Sequence, residues 1–402
     1  MESGETIAKR GIFSMHRKSK IGLLLVQPTP YRDPFIKKLS LRDDMDIKAL
    51  FLGKVCGTWD WKREPECDFP HLFVELPAFF DTENFTKWLH PSLPRVLREE
   101  QLDLLVINGY FMPSQIWAAL WCIWSGVPYI FWSESHDRGF RTSWYRKLFR
   151  HLFIDPLFRR ASAHIAVSTY ARERIMATGV PGDSVSIILN SPDVEKYIEE
   201  TDALRKDRDK IRDNLGLGPS PVLLFVGRMV PEKGLEELLE AYIAIIEKNS
   251  IPGLQLLLVG EGPLLESLKK RCAERNLNNV RFAGFVAPEK LYPYYVAADA
   301  FVLPSRYETF GAVVHEAAAA GLPLVVSDCC GAVAELLRDG ENGVAFRACD
   351  AGDLAKALER LYSLVNEWDK MGEKSRALAK KYGYSHGEEQ FVKAVRFALD
   401  KR

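Results

Sequence analysis

Residues 221–234 read Pro-Val-Leu-Leu-Phe-Val-Gly-Arg-Met-Val-Pro-Glu-Lys-Gly. An apolar run of strand length, Pro221–Val226, passes through a glycine turn to Pro231 and Glu232, which suit a helix start. Such a run, apolar without alternation, marks a strand covered on both faces, and a strand feeding straight into a helix is the repeating unit of a parallel sheet. The unit recurs downstream at Leu254–Val259, Val280–Phe282, Ala300–Leu303, Leu322–Val326 and Val344–Phe346. Upstream it recurs at Ile21–Val26, Ile47–Leu52, Leu72–Leu76, Asp103–Ile107, Pro128–Trp132, His164–Val167 and Val185–Leu189. The pattern predicts an α/β fold with two doubly wound, Rossmann-like domains and a cleft between them, where ligands collect at the carboxyl ends of the strands.

A chain of 402 residues exceeds what one core usually organises. The break falls in Glu195–Asn214, dense in charge and poor in apolar residues. The expected organisation is a first domain over 20–195, a charged linker over 196–219, a second domain over 220–385 and a C-terminal helix over 386–402. That helix sets Phe391, Val395 and Ala398 on one face, which needs a surface to cover; the first domain would supply it.

Lys plus Arg and Asp plus Glu balance at 54 each, so no general attraction to nucleic acid or to an anionic membrane is expected, and any electrostatic targeting must be local. The seven cysteines form no C-x-x-C pair, which fits reduced thiols in a cytoplasm, and Met1–Lys20 lacks the apolar segment of a secretory signal. The most apolar stretch, Ile116–Trp132, is divided by Ser125-Gly126 and Pro128 and reads as a buried helix followed by a strand.

Two loops carry the chemistry. After Pro221–Val226, Arg228 and Lys233 could grip a diphosphate, the arginine through its fork of donors and the lysine as a point charge; they equally fit surface cations paired with Glu232 and Glu236. After Ala300–Leu303 comes Pro304-Ser-Arg-Tyr-Glu-Thr-Phe-Gly-Ala-Val-Val-His-Glu316. Gly311 permits a tight entry into a helix whose first N–H groups can meet phosphate oxygens. Glu308 precedes that helix and Glu316 lies inside it, so the two carboxylates can serve different hydroxyl-bearing groups. The alternative is a capping glutamate and a solvated one.

This E-x7-E arrangement resembles the retaining glycosyltransferases of the large GT4 family. So do the G-R-x-x-x-x-K-G run from Gly227, the turn Val259-Gly260-Glu261-Gly262-Pro263, Gly284-Phe285-Val286 and Asp328–Glu335, all in the family's order. At Cys330-Gly331 the chain departs from the family's two glycines, and the spacing to Glu335 is one residue longer. The resemblance implies a GT-B fold, a nucleotide-sugar donor (UDP- or GDP-linked) on the second domain, an acceptor (glycan or lipid-linked) on the first, and retention of configuration. It further implies that Arg228 and Lys233 stabilise the departing diphosphate, Glu308 orients the sugar and Glu316 holds the ribose. Gly227, Gly260, Gly262, Phe285, Val286, Thr309, Phe310 and Gly311 would line the donor site. No other cofactor and no metal is expected, and no D-x-D motif is present. A nucleotide-sugar epimerase, a sugar phosphorylase and a non-catalytic nucleotide-sugar-binding regulator are the competing readings.

In the first domain, Gln27–Arg32 follows the first strand without a glycine-rich turn, which disfavours a nicotinamide cofactor. The resemblance sets His136 beside the transferred sugar. Asn108-Gly109-Tyr110 is a second candidate for acceptor contact. The segment Arg138–Arg160 mixes cations with Trp144, Phe149, Phe153 and Phe158, and is read as a helix packed on its own sheet with a basic outer face; the other reading is peripheral contact with an anionic membrane.

Overall fold

The computed structural model describes residues 18–54, 67–74, 89–139 and 143–401. Part of the expected strand Leu72–Leu76 and the cysteine Cys56 lie outside these. The first sheet comprises β1 (Ser19–Leu25), β2 (Met45–Phe51), β3 (His71–Phe73), β4 (Leu104–Asn108), β5 (Tyr129–Ser133), β6 (Ala163–Ala166) and β7 (Val185–Ile187). The second comprises β8 (Val222–Val226), β9 (Gln255–Val259), β10 (Val280–Gly284), β11 (Ala300–Leu303), β12 (Leu324–Ser327) and β13 (Gly343–Phe346). Their orders are β3-β2-β1-β4-β5-β6-β7 and β10-β9-β8-β11-β12-β13. Every pairing is parallel. The two domains therefore share one winding: each reverses direction beside its first strand, between β1 and β4 and between β8 and β11, and these switch points form crevices at the carboxyl edges.

The strands are apolar because helices cover both faces. Val222–Val226 and Gln255–Val259 are buried throughout, and Phe225, Phe301, Phe51 and Phe131 are fully enclosed. At the carboxyl ends of β8 and β9 the chains approach closely. Gly260 takes φ +132°, and a Cβ there would lie 1.9 Å from the Gly227 carbonyl oxygen, so this turn admits only glycine.

The segment 196–219, read as a linker, is largely helical: Val194–Arg205 and Arg208–Asn214. Its charges are used within the fold. Arg208 and Arg212 both bond the Asp299 carboxylate, and Arg212 also reaches the carbonyls of Gly218 and Ser220. These two arginines fasten the helix Arg208–Asn214 to the second domain, and Arg205, which donates to the Ala320 carbonyl at 2.7 Å, does the same for Val194–Arg205.

The last helix, Tyr384–Asp400, crosses back and packs on β4 through β7, burying Phe391, Ala394, Val395 and Ala398. The helix Pro113–Ser125 buries Ala118, Ala119 and Cys122 on the first sheet but leaves Leu120 and Trp124 exposed, so the buried-helix reading of 116–125 holds for one face only. Among the described residues no helix is long and apolar enough to cross a membrane.

Candidate active site

The loops after β8 and β11 meet at the second domain's switch point. Pro231–Lys233 forms a 3-10 turn, and Gly234 follows in a left-handed conformation before the helix Leu235–Lys248. Lys233 forms an ion pair with Glu308, and both side chains are mostly buried. Neither Glu232 nor Glu236 is the lysine's partner here: Glu236 and Glu237 instead clamp Arg306, at 2.8 and 2.7 Å. Arg228 stands exposed at the end of β8.

Glu308 is held from both sides. Its N–H donates to the Cys329 carbonyl, and its own carbonyl accepts the Gly331 N–H at 3.1 Å and His136 Nε2 at 2.8 Å. Cys330 Sγ donates to the Phe310 carbonyl at 3.0 Å, so the cysteine where the family has glycine acts as a buried brace. Gly311 takes φ +92° as the cap of helix Ala312–Ala319, leaving that helix's first N–H groups without carbonyl partners inside the helix. A Cβ at Gly311 would strike Cys330 Sγ at 2.8 Å. The Phe310 side chain is buried beside His315, and its carbonyl accepts from the Ala332 N–H at 2.8 Å as well as from Cys330. Thr309 and Val286 are half-buried, Phe285 is exposed, and all three flank these loops with Gly227, Gly260 and Gly262.

Glu316 occupies a different environment. It is wholly buried, and Tyr295 donates to its Oε2 at 2.6 Å. The hydroxyls of Tyr197 and Tyr31 converge on the same carboxylate, although Oε1 has no partner in good hydrogen-bond geometry. Burial pushes the Glu316 carboxyl up, and the three tyrosines partly oppose it. Tyr31 arrives from the loop after β1, across the domain boundary. In this arrangement three tyrosines, one of them from the other domain, enclose the carboxylate.

His136 is buried, with both ring nitrogens engaged. Nδ1 accepts the Arg138 N–H at 3.2 Å, which leaves Nε2 as the protonated nitrogen that donates to the Glu308 carbonyl. Burial lowers its pKa, so the ring is neutral. His136 thus touches the backbone of the Glu308 loop, a contact that joins the domains. A second bridge runs from Thr169 N–H to Glu335 Oε1 at 2.8 Å. Burial raises the Glu335 pKa, and the Thr169 bond moderates the rise.

On the first domain, Asn108 belongs to a polar cluster at the ends of β1, β4, β5 and β7. Arg32 donates to Asn108 Oδ1 at 2.7 Å and Asn190 Oδ1 at 3.3 Å, pairs with Glu134, and lies 5.2 Å from the Trp132 ring centre. Sequence reasoning missed Tyr31, Tyr197, Tyr295, Arg32 and Asn190. None belongs to a local motif; each acquires its place only when distant strands align.

Two family models match the chain: "Glycosyl transferases group 1" over residues 207–378 and "Glycosyltransferase Family 4" over 53–196. A D-inositol 3-phosphate glycosyltransferase of Nocardia farcinica is 30% identical over 237 residues, 57% of this chain and 51% of that protein. A GDP-mannose-dependent alpha-(1-6)-phosphatidylinositol monomannoside mannosyltransferase of Mycolicibacterium smegmatis is 29% identical over 200 residues, 48% of this chain and 50% of that one. The chain thus spans about half the length of such curated relatives. Among solved structures, Anabaena HepE in complex with UDP superimposes with a TM-score of 0.71 at 20% identity, covering 94% of this chain and 99% of that one. A glycosyltransferase from Rickettsia africae gives 0.74 at 15%, covering 96% and 100%. These likenesses establish a GT-B fold.

Proposed function

The chain belongs to the group 1 and Family 4 glycosyltransferases, and on that premise we propose that it is a retaining glycosyltransferase. It would move a sugar from a UDP- or GDP-sugar to a glycan, lipid-linked or small-molecule acceptor, in surface polysaccharide or glycoconjugate synthesis. Support for these two nucleotides comes from a relative named for GDP-mannose and a similar structure that contains UDP. The free thiols of the described cysteines fit a cytoplasmic setting, where a lipid-linked acceptor would draw the enzyme to the membrane face.

The observation that carries this reading is the Lys233–Glu308 pair beside the opening of helix Ala312–Ala319. A lysine and a carboxylate that neutralise one another can each be redirected by a ligand bearing both phosphates and hydroxyls. Lys233 and Arg228 would turn to the diphosphate while Glu308 accepts from sugar hydroxyls. As the glycosidic bond to phosphate breaks, negative charge grows on the leaving oxygen; cations and helix N–H groups already aimed there strengthen their hold on the transition state. His136 keeps the Glu308 loop in register, and Glu316 would take the ribose once Tyr31 leaves. The reaction is drawn with no cofactor beyond the sugar nucleotide.

A thermal-shift panel of UDP, GDP, ADP, CMP and NAD on wild type and Arg228→Ala tests the donor assignment. A ligand at about a hundred times its Kd adds roughly 2.7 kcal/mol, a shift of several degrees. The expected result is a shift with UDP or GDP that Arg228→Ala loses. A shift with NAD alone, or none, would overturn the reading. With the donor known, the anomeric proton coupling of the product distinguishes retention from inversion.

A further inference from the structure

The two crossovers that carry the first sheet from β4 to β5 to β6 step in the same direction, so right-handed connections lay their helices side by side on one face. The first is Pro113–Ser125, which contains no charged residue and turns Leu120 and Trp124 outward, the latter 79% exposed. The second runs continuously as Trp144–Phe149, a π-helical turn Arg150–Ile154, and Asp155–Arg160, and touches the first. Along it Trp144, Tyr145, Leu148, Phe149, Leu152 and Phe153 are all exposed. They recur every four residues. That stripe would rotate off-axis in a helix of 3.6 residues per turn, and the wider π turn holds it in line. Phe111, also exposed, stacks on Tyr110, whose ring meets Phe158 edge-on at 5.3 Å, closing the patch at its cleft end.

We infer that this face docks on the surface of an anionic lipid bilayer. Contiguous exposed apolar surface of this extent marks an interaction site, and Trp and Tyr are the side chains that settle at the boundary between water and lipid. The charge pattern selects the partner. Residues 143–154 contain Arg146, Lys147, Arg150 and His151 and no acid, and exposed Arg159 and Arg160 follow. Arg150 is answered by Asp137 at 3.0 Å, and Arg159 donates to the Thr178 carbonyl. A second copy on this face would set a basic, acid-free segment opposite itself, whereas anionic headgroups complement it.

Position matters as well. Gly139, shortly before the exposed helix, packs against the Arg306 carbonyl of the Glu308 loop and against Cys329 in the loop after β12. A bilayer on this face would therefore lie at the mouth of the cleft. This deepens the glycosyltransferase reading by assigning the acceptor to the lipid-linked class.

The test is co-sedimentation of the full chain with vesicles of phosphatidylcholine alone or mixed with phosphatidylglycerol, at low and high salt. The variants are Trp124→Ser and the triple change Leu148→Ser, Phe149→Ser, Phe153→Ser, each with its melting temperature recorded. The expected result is binding to the anionic vesicles only, lost at high salt and reduced roughly tenfold in the triple variant with its melting temperature kept. Absence of binding in the wild type, or binding unchanged in both folded variants, overturns the inference. So does a wild-type dimer in analytical ultracentrifugation that the triple variant converts to monomer, because a second copy would then own the face. Vesicle binding is read without donor or acceptor. Its failure leaves the donor assignment standing, which the nucleotide shifts decide separately.

Discussion

The two domains are wound alike yet present opposite surfaces. Of the thirteen large hydrophobic side chains exposed among the described residues, eleven lie before residue 180 and two, Phe285 and Val365, lie in the second domain. The second domain hides its apolar residues and concentrates its recognisable motifs in the loops of one crevice. The first has fewer motifs at its crevice and spends apolar residues on an outer face. Topology is thus a neutral frame: it determines where crevices form, and each domain's side chains decide whether it meets a small polar ligand or an extended partner.

Glu308 and Glu316 repeat the contrast at residue scale. Glu308 is partly exposed and answered by a lysine; Glu316 is enclosed by tyrosines, one of them from the other domain. If the first is chemical and the second a binding and packing group, they should fail differently. Glu308→Ala should lower transfer by about two to three orders of magnitude while nucleoside diphosphate affinity changes only slightly, as steady-state rates and calorimetry would show. Full activity in that variant would erase the distinction.

Glu316→Ala should act on stability first. It removes the acceptor of buried tyrosine hydroxyls, and a loss of about 2–3 kcal/mol is expected in chemical denaturation. The variant should also bind the nucleoside diphosphate more weakly while inorganic pyrophosphate is little affected. Equal losses for both ligands would contradict a ribose contact.

Asp33 sharpens the comparison from the first domain's side. It opens the helix Asp33–Ser40 next to Tyr31 and Arg32, and burial pushes its carboxyl up to about 6 against the opposing Thr29 N–H bond. A folded-state pKa above the ordinary 3.8 means that the folded chain holds this proton more tightly. The contribution is fully present below that ordinary value and is lost as pH rises towards 6. Reduced for partial exposure, it amounts to about 1–2 kcal/mol. Asp33→Asn should therefore flatten the wild type's decline in melting temperature over that window; an identical pH profile would refute the assignment.

The smallest effect tests the contact between domains. Tyr31→Phe keeps the ring and removes one hydroxyl from Glu316. If a ribose must displace that hydroxyl, the variant should bind UDP or GDP a few-fold more tightly, the worth of about 1 kcal/mol for one hydrogen bond. Weaker binding would mean that Tyr31 contacts the nucleotide itself.

Much of the architecture was legible because buried parallel strands must be apolar throughout and their turns must carry glycine. The thirteen expected strands correspond to β1–β13, with ends displaced by a residue or two and β3 shorter than expected. The helical nature of 196–214 was not legible. Its arginines resemble solvated charge until Asp299 and the carbonyls of Gly218 and Ser220 appear beside them. The outer face of 144–160 holds more than the expected basic residues: beside exposed Arg159 and Arg160 it presents Trp144, Tyr145, Leu148, Phe149, Leu152 and Phe153. Periodicity shows that a helix has an apolar side, but the π turn that aligns this one depends on backbone geometry.

The sequence by itself determined the fold and the roster of the second domain's loops, because strand patterning and glycine turns act over a few residues. Only the tertiary structure decided the partners: Lys233 against Glu308, Tyr31 over Glu316, His136 against the Glu308 loop, and, among the described residues, an aromatic face turned outward. Those relations join residues up to 285 positions apart, as with Tyr31 and Glu316. Burial and charge pairing at such separations exist only once two sheets have closed on each other.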